Sequence, residues 1–98
     1  MSVEIKPSTN IKKKYMAIFY NNDGKKIKTI HFGAKGMSDY TQHKDEARKH
    51  RYIARHRANE SHNSPMTAGA LSRWILWNYK SLTQSIVDYR RRFGLRAH

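Results

Sequence analysis

The chain has 98 residues, of which 20 are Lys or Arg and 7 are Asp or Glu, so its formal net charge is +13 at pH 7. This length accommodates one domain. The sequence contains no cysteine, which excludes disulfides, thiolate-ligated zinc and cysteine nucleophiles. No apolar run approaches the roughly 20 residues that span a bilayer, and the first ten residues lack the apolar centre of a signal peptide. These features predict a small, soluble, strongly basic intracellular protein.

The positive charge is spread over the whole chain, with eleven of the Lys and Arg residues in positions 1–49 and nine in positions 50–98. Because unpaired cations on a folded domain repel one another, we expect an anionic partner. The phosphate backbone of nucleic acid is favoured, since binding it releases condensed counterions. A membrane partner is not expected, because no segment has the charge distribution of an interfacial helix. An acidic protein partner, or a surface kept basic for solubility, is the alternative.

The first predicted elements are a flexible lead-in and a β-hairpin. Residues 1–12 show little periodicity and are interpreted as the lead-in to a single basic domain at residues 13–95. Residues 15–20 are β-branched and aromatic, which is typical of a strand. Asp23-Gly24 predicts a two-residue turn, and residues 25–32 are the return strand. This turn predicts the pairs Tyr20 with Ile27, Ile18 with Thr29, and Met16 with His31. Because both hairpin faces carry apolar groups, we expect helices to cover one of them.

The helix predicted next is unusually basic. It begins near residues 38–41, with Ser38, Asp39 or Thr41 as its N-cap, and it runs to about Ala58. Its apolar stripe is thin, whereas Arg, Lys and His occupy most of its circumference. We interpret it as the principal phosphate-contacting element. The alternative is a solvated face that simply carries charge.

Two further helices follow a loop expected at residues 59–65. The first covers residues 66–79, with Thr67 as its cap, and is predicted to be buried. The second begins after the capping box Ser81…Gln84 and ends at Gly94. Its apolar stripe consists of Leu82, Ile86, Tyr89 and Phe93. The predicted fold is therefore α+β, with an N-terminal antiparallel β-hairpin followed by three α-helices that pack as one layer on the hairpin.

The candidate nucleic-acid-binding residues are the basic side chains of the hairpin and helices. We expect the hairpin lysines to form a basic ribbon able to follow a phosphate backbone, although lysines on an edge strand also discourage aggregation. The full set is Lys12, Lys13, Lys14, Lys25, Lys26, Lys28, Lys35, Lys44, Arg48, Lys49, Arg51, Arg55, Arg57, Arg73, Arg90, Arg91 and Arg92.

Other chemistries have weaker support in the sequence. The last two helices resemble a helix-turn-helix in order, with Thr83, Gln84 and Ser85 at the base-reading position, but plain core packing is favoured. Trp74 and Trp77 could stack on bases, and core packing is again the favoured interpretation, more firmly for Trp74. The histidines lack the i, i+3 or i, i+4 spacing of a helical metal site. We expect no catalytic residues, no metal and no cofactor.

Three segments carry a resemblance to a known group of proteins: YMAIF at residues 15–19, HFGAKGMSDYT at residues 31–41 and TAGALSRWILW at residues 67–77. Over residues 13–95 the chain resembles small uncharacterised basic proteins of large nucleocytoplasmic DNA viruses of algae and protists, whereas residues 1–12 depart from that pattern. The resemblance transfers no activity. It implies a viral context, either inside the virion or at the host-cell site of viral DNA replication, in the nucleus or a cytoplasmic factory, and it does not imply secretion.

Together these features predict a non-enzymatic, largely sequence-independent nucleic-acid-binding protein that favours double-stranded DNA and helps to organise or compact a viral genome. One alternative is a structural virion or core protein that bridges acidic viral proteins. Another is a metal-dependent nuclease, which would lose magnesium-dependent cleavage on replacement of His31 or His43 by Ala. No oligomeric state is predicted.

Overall fold

A four-stranded mixed sheet forms one layer of the structure. The computed structural model describes residues 1–57 and 62–98. The strands are β1 (Ser2–Pro7), β2 (Lys13–Tyr20), β3 (Lys26–Ala34) and β4 (Arg96–Ala97). Their order is β3-β2-β1-β4, with β1–β2 and β2–β3 antiparallel and β1–β4 parallel. The α+β class is confirmed, but the hairpin is part of a larger sheet than the sequence predicted.

The first residues of the chain do not form the lead-in that was predicted, because β1 is an inner strand of the sheet. Val3 is fully buried in the core and pairs with Phe19 of β2. The connection to β2 also lies against the sheet, where Ser8 Oγ is 2.7 Å from His31 Nδ1. The signal for this strand is a short alternation of polar and apolar residues in SVEIKP, which has period 2.

The predicted hairpin register holds in its middle and shifts at its turn. Ile18 pairs with Thr29 and Met16 with His31, as predicted. A bulge between Phe19 and Tyr20 pairs Tyr20 with Lys26, so its predicted pairing with Ile27 is wrong. The cause lies in Asn21, whose Oδ1 accepts hydrogen bonds from the backbone N–H groups of Asp23 and Lys25. These bonds stabilise a loop wider than the predicted two-residue turn.

The basic helix is divided into two parts. Helix α1 (Tyr40–His43) ends at Lys44, which adopts a left-handed conformation with φ of 57°, and α2 (Glu46–Arg57) follows. Asp39 caps α1 by accepting a hydrogen bond from the N–H of Thr41, whereas Asp45 Oδ1 accepts from the N–H of Ala47 at the start of α2. The helix end predicted near Ala58 and the first residues of the loop predicted at 59–65 lie outside the described residues.

The last two predicted helices differ in how closely they match the structure. Helix α3 (Ala68–Leu71), capped by Thr67, continues as a π-helix (Ser72–Leu76), so the helix predicted at residues 66–79 is shorter and changes type. Helix α4 (Leu82–Phe93) has the predicted bounds. Ser81 Oγ accepts a hydrogen bond from the Gln84 N–H at 3.3 Å. After Gly94, the N–H of Leu95 donates to the Arg90 carbonyl at 2.8 Å, which completes a Schellman cap.

The core lies between one face of the sheet and the layer formed by α3, the π-helix and α4, which confirms that helices cover one face. Its fully or nearly buried residues are Val3, Ala17, Phe19, Phe32, Leu71, Ile75, Leu76, Tyr89 and Leu95. The hydroxyl of Tyr89 donates to the Pro65 carbonyl at 2.6 Å, and burial raises the pKa of this phenol. Trp77, directly after the π-helix, stacks on Tyr52 and so positions the remaining element, α2, at one end of the sheet.

Gly33 lies where β3 closely approaches Leu76 of the π-helix, and it carries a testable prediction. Its φ is +79°, and a Cβ there would lie 2.8 Å from Cδ1 of Leu76. Gly36 has a similar φ of +90° but open space around the Cβ position. We expect Gly33→Ala to destabilise the fold by about 1–3 kcal/mol more than Gly36→Ala, because only Gly33→Ala adds a clash to the backbone strain. Urea unfolding of both variants tests this, and equal losses would contradict it.

Candidate nucleic-acid interface

Helix α2 is held to the fold by a stack of aromatic rings. The ring of Tyr52 is buried and stacks on Trp77, with centroids 4.3 Å apart and an interplanar angle of 4°. The His56 ring stacks on Tyr52 at 4.2 Å. Lys49, one turn before, donates through Nζ to the carbonyl of Asn78 at 2.7 Å. These contacts orient one side of α2 inward and leave the other side in solvent.

Helix α2 carries three exposed arginines, which we name the α2 basic face: Arg48, Arg51 and Arg55. Their spacing of three and four residues places them as neighbours along one flank of the helix. Lys44 and Arg57 are exposed at the two ends of the same segment. This part of the predicted interface is therefore brought together by a single element.

A groove of about 320 Å³ separates α2 from the adjacent end of the sheet. Lys13 and Arg55 line it from different elements, while Phe32, Leu76 and Trp77 supply apolar lining. Two exposed lysines, Lys12 and Lys35, lie beside it, because they adjoin the lining residues Lys13 and Ala34 in the chain. The N–H of Lys35 donates to the carbonyl of Lys12 at 3.0 Å. We call the assembly the α2 end; it comprises the α2 basic face with Lys12, Lys13, Lys35, Lys44 and Arg57.

Lys14 is committed to the fold. Its Nζ lies 2.6 Å from Oδ2 of Asp39 and 2.7 Å from Oε1 of Gln42, and its side chain is only 13% exposed. Asp39 is itself buried and caps α1. The ion pair therefore joins β2 to the N-cap of α1, and the charge of Lys14 is paired within the fold.

Lys49 and Arg73 also act within the fold. The ammonium of Lys49 lies 4.8 Å from the ring centroid of Tyr40, and burial lowers its pKa. The Arg73 guanidinium donates to the carbonyl of Trp77 at 3.0 Å and lies 4.1 Å from the Trp74 ring. Burial, and secondarily the charge of Arg92, lowers the pKa of Arg73. Sequence alone offers no signal for these roles, since the partners are distant in the chain.

The hairpin lysines do not form the basic ribbon that was predicted, because they lie at opposite ends of the hairpin. Lys13 pairs with Ala34, whereas Lys28 pairs with Phe19, six residues along β2. At about 3.3 Å per residue this separates the two groups by roughly 20 Å. Lys25, Lys26 and Lys28 are exposed near the turn, away from α2.

A second set of cations lies near that turn. The N–H of Arg96 in β4 donates to the carbonyl of Met1, and the amino group of Met1 donates to Oδ1 of Asn22. Arg96 therefore lies next to the hairpin turn. The last turn of α4, which holds Arg90, Arg91 and Arg92, leads directly into this strand. We call Lys25, Lys26 and Arg96 the hairpin-turn end.

Five of the acidic side chains in the described part of the chain take part in contacts that hold the fold: Glu4, Asp39, Asp45, Glu46 and Asp88. The hydroxyl of Tyr40 donates to Glu46 at 2.5 Å, which raises the pKa of Tyr40 to about 12 and lowers that of Glu46. Asp88 accepts from Asn78 at 2.7 Å and pairs with Arg92 at 3.3 Å. Because these carboxylates have internal partners, the outward field of the protein is set by its exposed cations.

The alternative sites have less support from the geometry. Ser85 is fully buried and accepts a hydrogen bond from the Tyr79 N–H, so of the predicted base-reading trio only Thr83 and Gln84 are exposed. Trp77 is stacked on Tyr52, and the Trp74 ring contacts the guanidinium groups of Arg73 and Arg92 at 4.1 and 3.7 Å from its centroid. No three His, Asp or Glu side chains within residues 1–57 and 62–98 are arranged to hold a metal ion.

No helix in the described ranges is long and apolar enough to cross a membrane.

No curated protein and no solved structure matches the chain. A family model described as a family of unknown function, DUF5754, matches residues 3–56, which is more than half of the chain. The match covers β1, β2, β3, α1 and nearly all of α2, and thus includes most of the α2 end. The chain belongs to this family of unknown function, DUF5754.

Proposed function

We propose that the protein binds the phosphate backbone of nucleic acid, with double-stranded DNA favoured, largely without regard to sequence and without catalysing a reaction on it. The observation that carries this proposal is the α2 basic face, in which three exposed arginines lie on one flank of a helix that the Tyr52–Trp77 stack anchors to the fold. The resemblance to proteins of large DNA viruses favours DNA as the partner and genome organisation as the role.

The chemistry of the α2 end suits phosphate. Guanidinium groups donate two parallel hydrogen bonds to a phosphate, and lysines such as Lys12, Lys13 and Lys35 add mobile point charges beside them. Arg and Lys contacts to phosphate position a protein on a duplex but carry no sequence information. A surface dominated by these side chains therefore favours binding that is tight at low salt and indifferent to sequence.

The decisive measurement is the salt dependence of binding. If six to ten phosphates are engaged, the logarithm of the association constant is expected to fall with the logarithm of salt concentration at a slope of roughly −5 to −9. A fluorescence-anisotropy titration with two duplexes of unrelated sequence, a single strand and an RNA duplex measures the slope and the preference. A slope near zero would contradict the proposal and favour a protein partner. Magnesium-dependent cleavage of any substrate would favour a nuclease.

A further inference from the structure

Two groups of exposed cations lie at separate places: the α2 end, and the hairpin-turn end, where the exposed Asp23 offsets one of the three positive charges. The molecule is elongated, with principal extents of 42 × 27 × 25 Å. The α2 end lies where β2 begins and β3 finishes, because Lys13 pairs with Ala34 there. The hairpin-turn end lies where β2 finishes, beside the start of β1 and β4. The eight-residue length of β2 therefore stands between the two sets of charges.

Between the two ends, the open side of the sheet carries the exposed Lys6, which pairs with Met16, and its charge is offset by Glu4 two residues away on the same face of β1. Phe19 faces the helical layer, so its neighbour Ile18 faces the other way, flanked by Glu4 on β1 and Thr29 on β3. A duplex laid along this face to reach both ends would pass over the opposite charges of Lys6 and Glu4 and the neutral hydroxyl of Thr29, while Ile18 is only 6% exposed. Phosphate oxygens gain no net attraction from that contact.

We propose that the two ends hold two different duplexes, so that one molecule bridges two segments of DNA. This inference rests on the proposed function and adds its geometry. The ends are separated by more than the Debye length of about 8 Å at physiological salt, so charge on one end has little influence on binding at the other. A molecule with two such independent sites links two duplexes without dimerising. Once one end is bound to a duplex, a nearby second duplex is at a high effective concentration for the other end.

The test compares two variants that each remove three positive charges. One is Arg48→Gln/Arg51→Gln/Arg55→Gln at the α2 end, and the other is Lys25→Gln/Lys26→Gln/Arg96→Gln at the hairpin-turn end. All six side chains are exposed, so both variants are expected to fold. A biotinylated duplex is fixed to beads, protein is added, and retention of a labelled second duplex of unrelated sequence is measured. Binding of a single duplex in solution and the oligomeric state of the protein are measured in parallel.

The hairpin-turn variant is expected to keep single-duplex binding within a few-fold of the unchanged protein, since the α2 end remains, and to lose at least tenfold in capture of the second duplex. The opposite result is that, for both variants, capture of the second duplex falls only in proportion to the affinity for a single duplex. That result would mean that one continuous surface binds one duplex, and the bridging proposal would be wrong. Capture that requires a dimer of the protein also overturns it. Failure to bind the first duplex would instead overturn the proposed function itself.

Discussion

Replacing Arg48, Arg51 and Arg55 together by Gln is expected to weaken binding to duplex DNA by about two orders of magnitude at 0.15 M salt. Each lost phosphate contact removes about 0.9 from the magnitude of the salt slope, so the three together reduce it by roughly 2.7. At this salt concentration, that change in slope corresponds to the stated loss of affinity. Anisotropy titrations at four or more salt concentrations measure both quantities on the same samples.

Two controls isolate charge from folding. The triple Arg→Lys variant keeps the three positive charges and is expected to retain the slope while losing some affinity, since lysine cannot bind phosphate in two-pronged geometry. The free energy of unfolding of the Gln variant is expected to lie within about 0.5 kcal/mol of that of the unchanged protein, because α2 is attached through the Tyr52 stack and the three arginines are exposed. An unaltered salt slope in the Gln variant would show that α2 does not contact phosphate.

Lys14→Met is expected to destabilise the fold by about 3 kcal/mol, a large share of the 5–15 kcal/mol that typically separates folded from unfolded states. The substitution leaves Asp39, which is only 3% exposed, without its cationic partner. Chemical unfolding followed by circular dichroism measures the loss. Lys13→Met is the matched control, because this neighbouring lysine lines the open groove and has the same type of side chain.

The same pair of residues supplies a sharper version of the test. If the loss comes from a stranded carboxylate, adding Asp39→Asn to Lys14→Met should recover part of the stability, because the carboxylate is then neutral and its amide oxygen can still cap α1. If Lys14 acts mainly on DNA, Lys13→Met and Lys14→Met would instead have similar stabilities and similar effects on the salt slope.

The features that were predictable from sequence are those decided by neighbouring residues. The Ser81 and Gly94 caps delimit α4 because each acts on backbone groups within one turn of helix. The central pairs of the hairpin follow from side-chain alternation on either side of a turn. The exposed arginines of α2 were identified because a helix with so thin an apolar stripe must leave most of its circumference in solvent.

The features that were not predictable depend on contacts between distant residues. Lys12, Lys13 and Lys14 are chemically identical in sequence, and only the packing of α1 against β2 gives Lys14 a buried partner. Tyr52 holds α2 by stacking on Trp77, which lies 25 positions later in the chain, so the sequence near Tyr52 gives no sign of this contact. The inner position of β1 was missed for a similar reason, since a six-residue alternation is short and its pairing partners lie elsewhere in the chain.

The pairing of β1 with β4 has a consequence for the order in which the molecule assembles. Ser2 lies beside Arg96, so this contact closes a loop of more than ninety residues, whereas β2 and β3 are joined by a few residues. Loop closure makes distant pairings slow relative to local ones. During synthesis the β2–β3 hairpin can therefore form early, and Ser2–Pro7 can add to it. The free edge of β1 stays uncovered until residues 96 and 97 leave the ribosome.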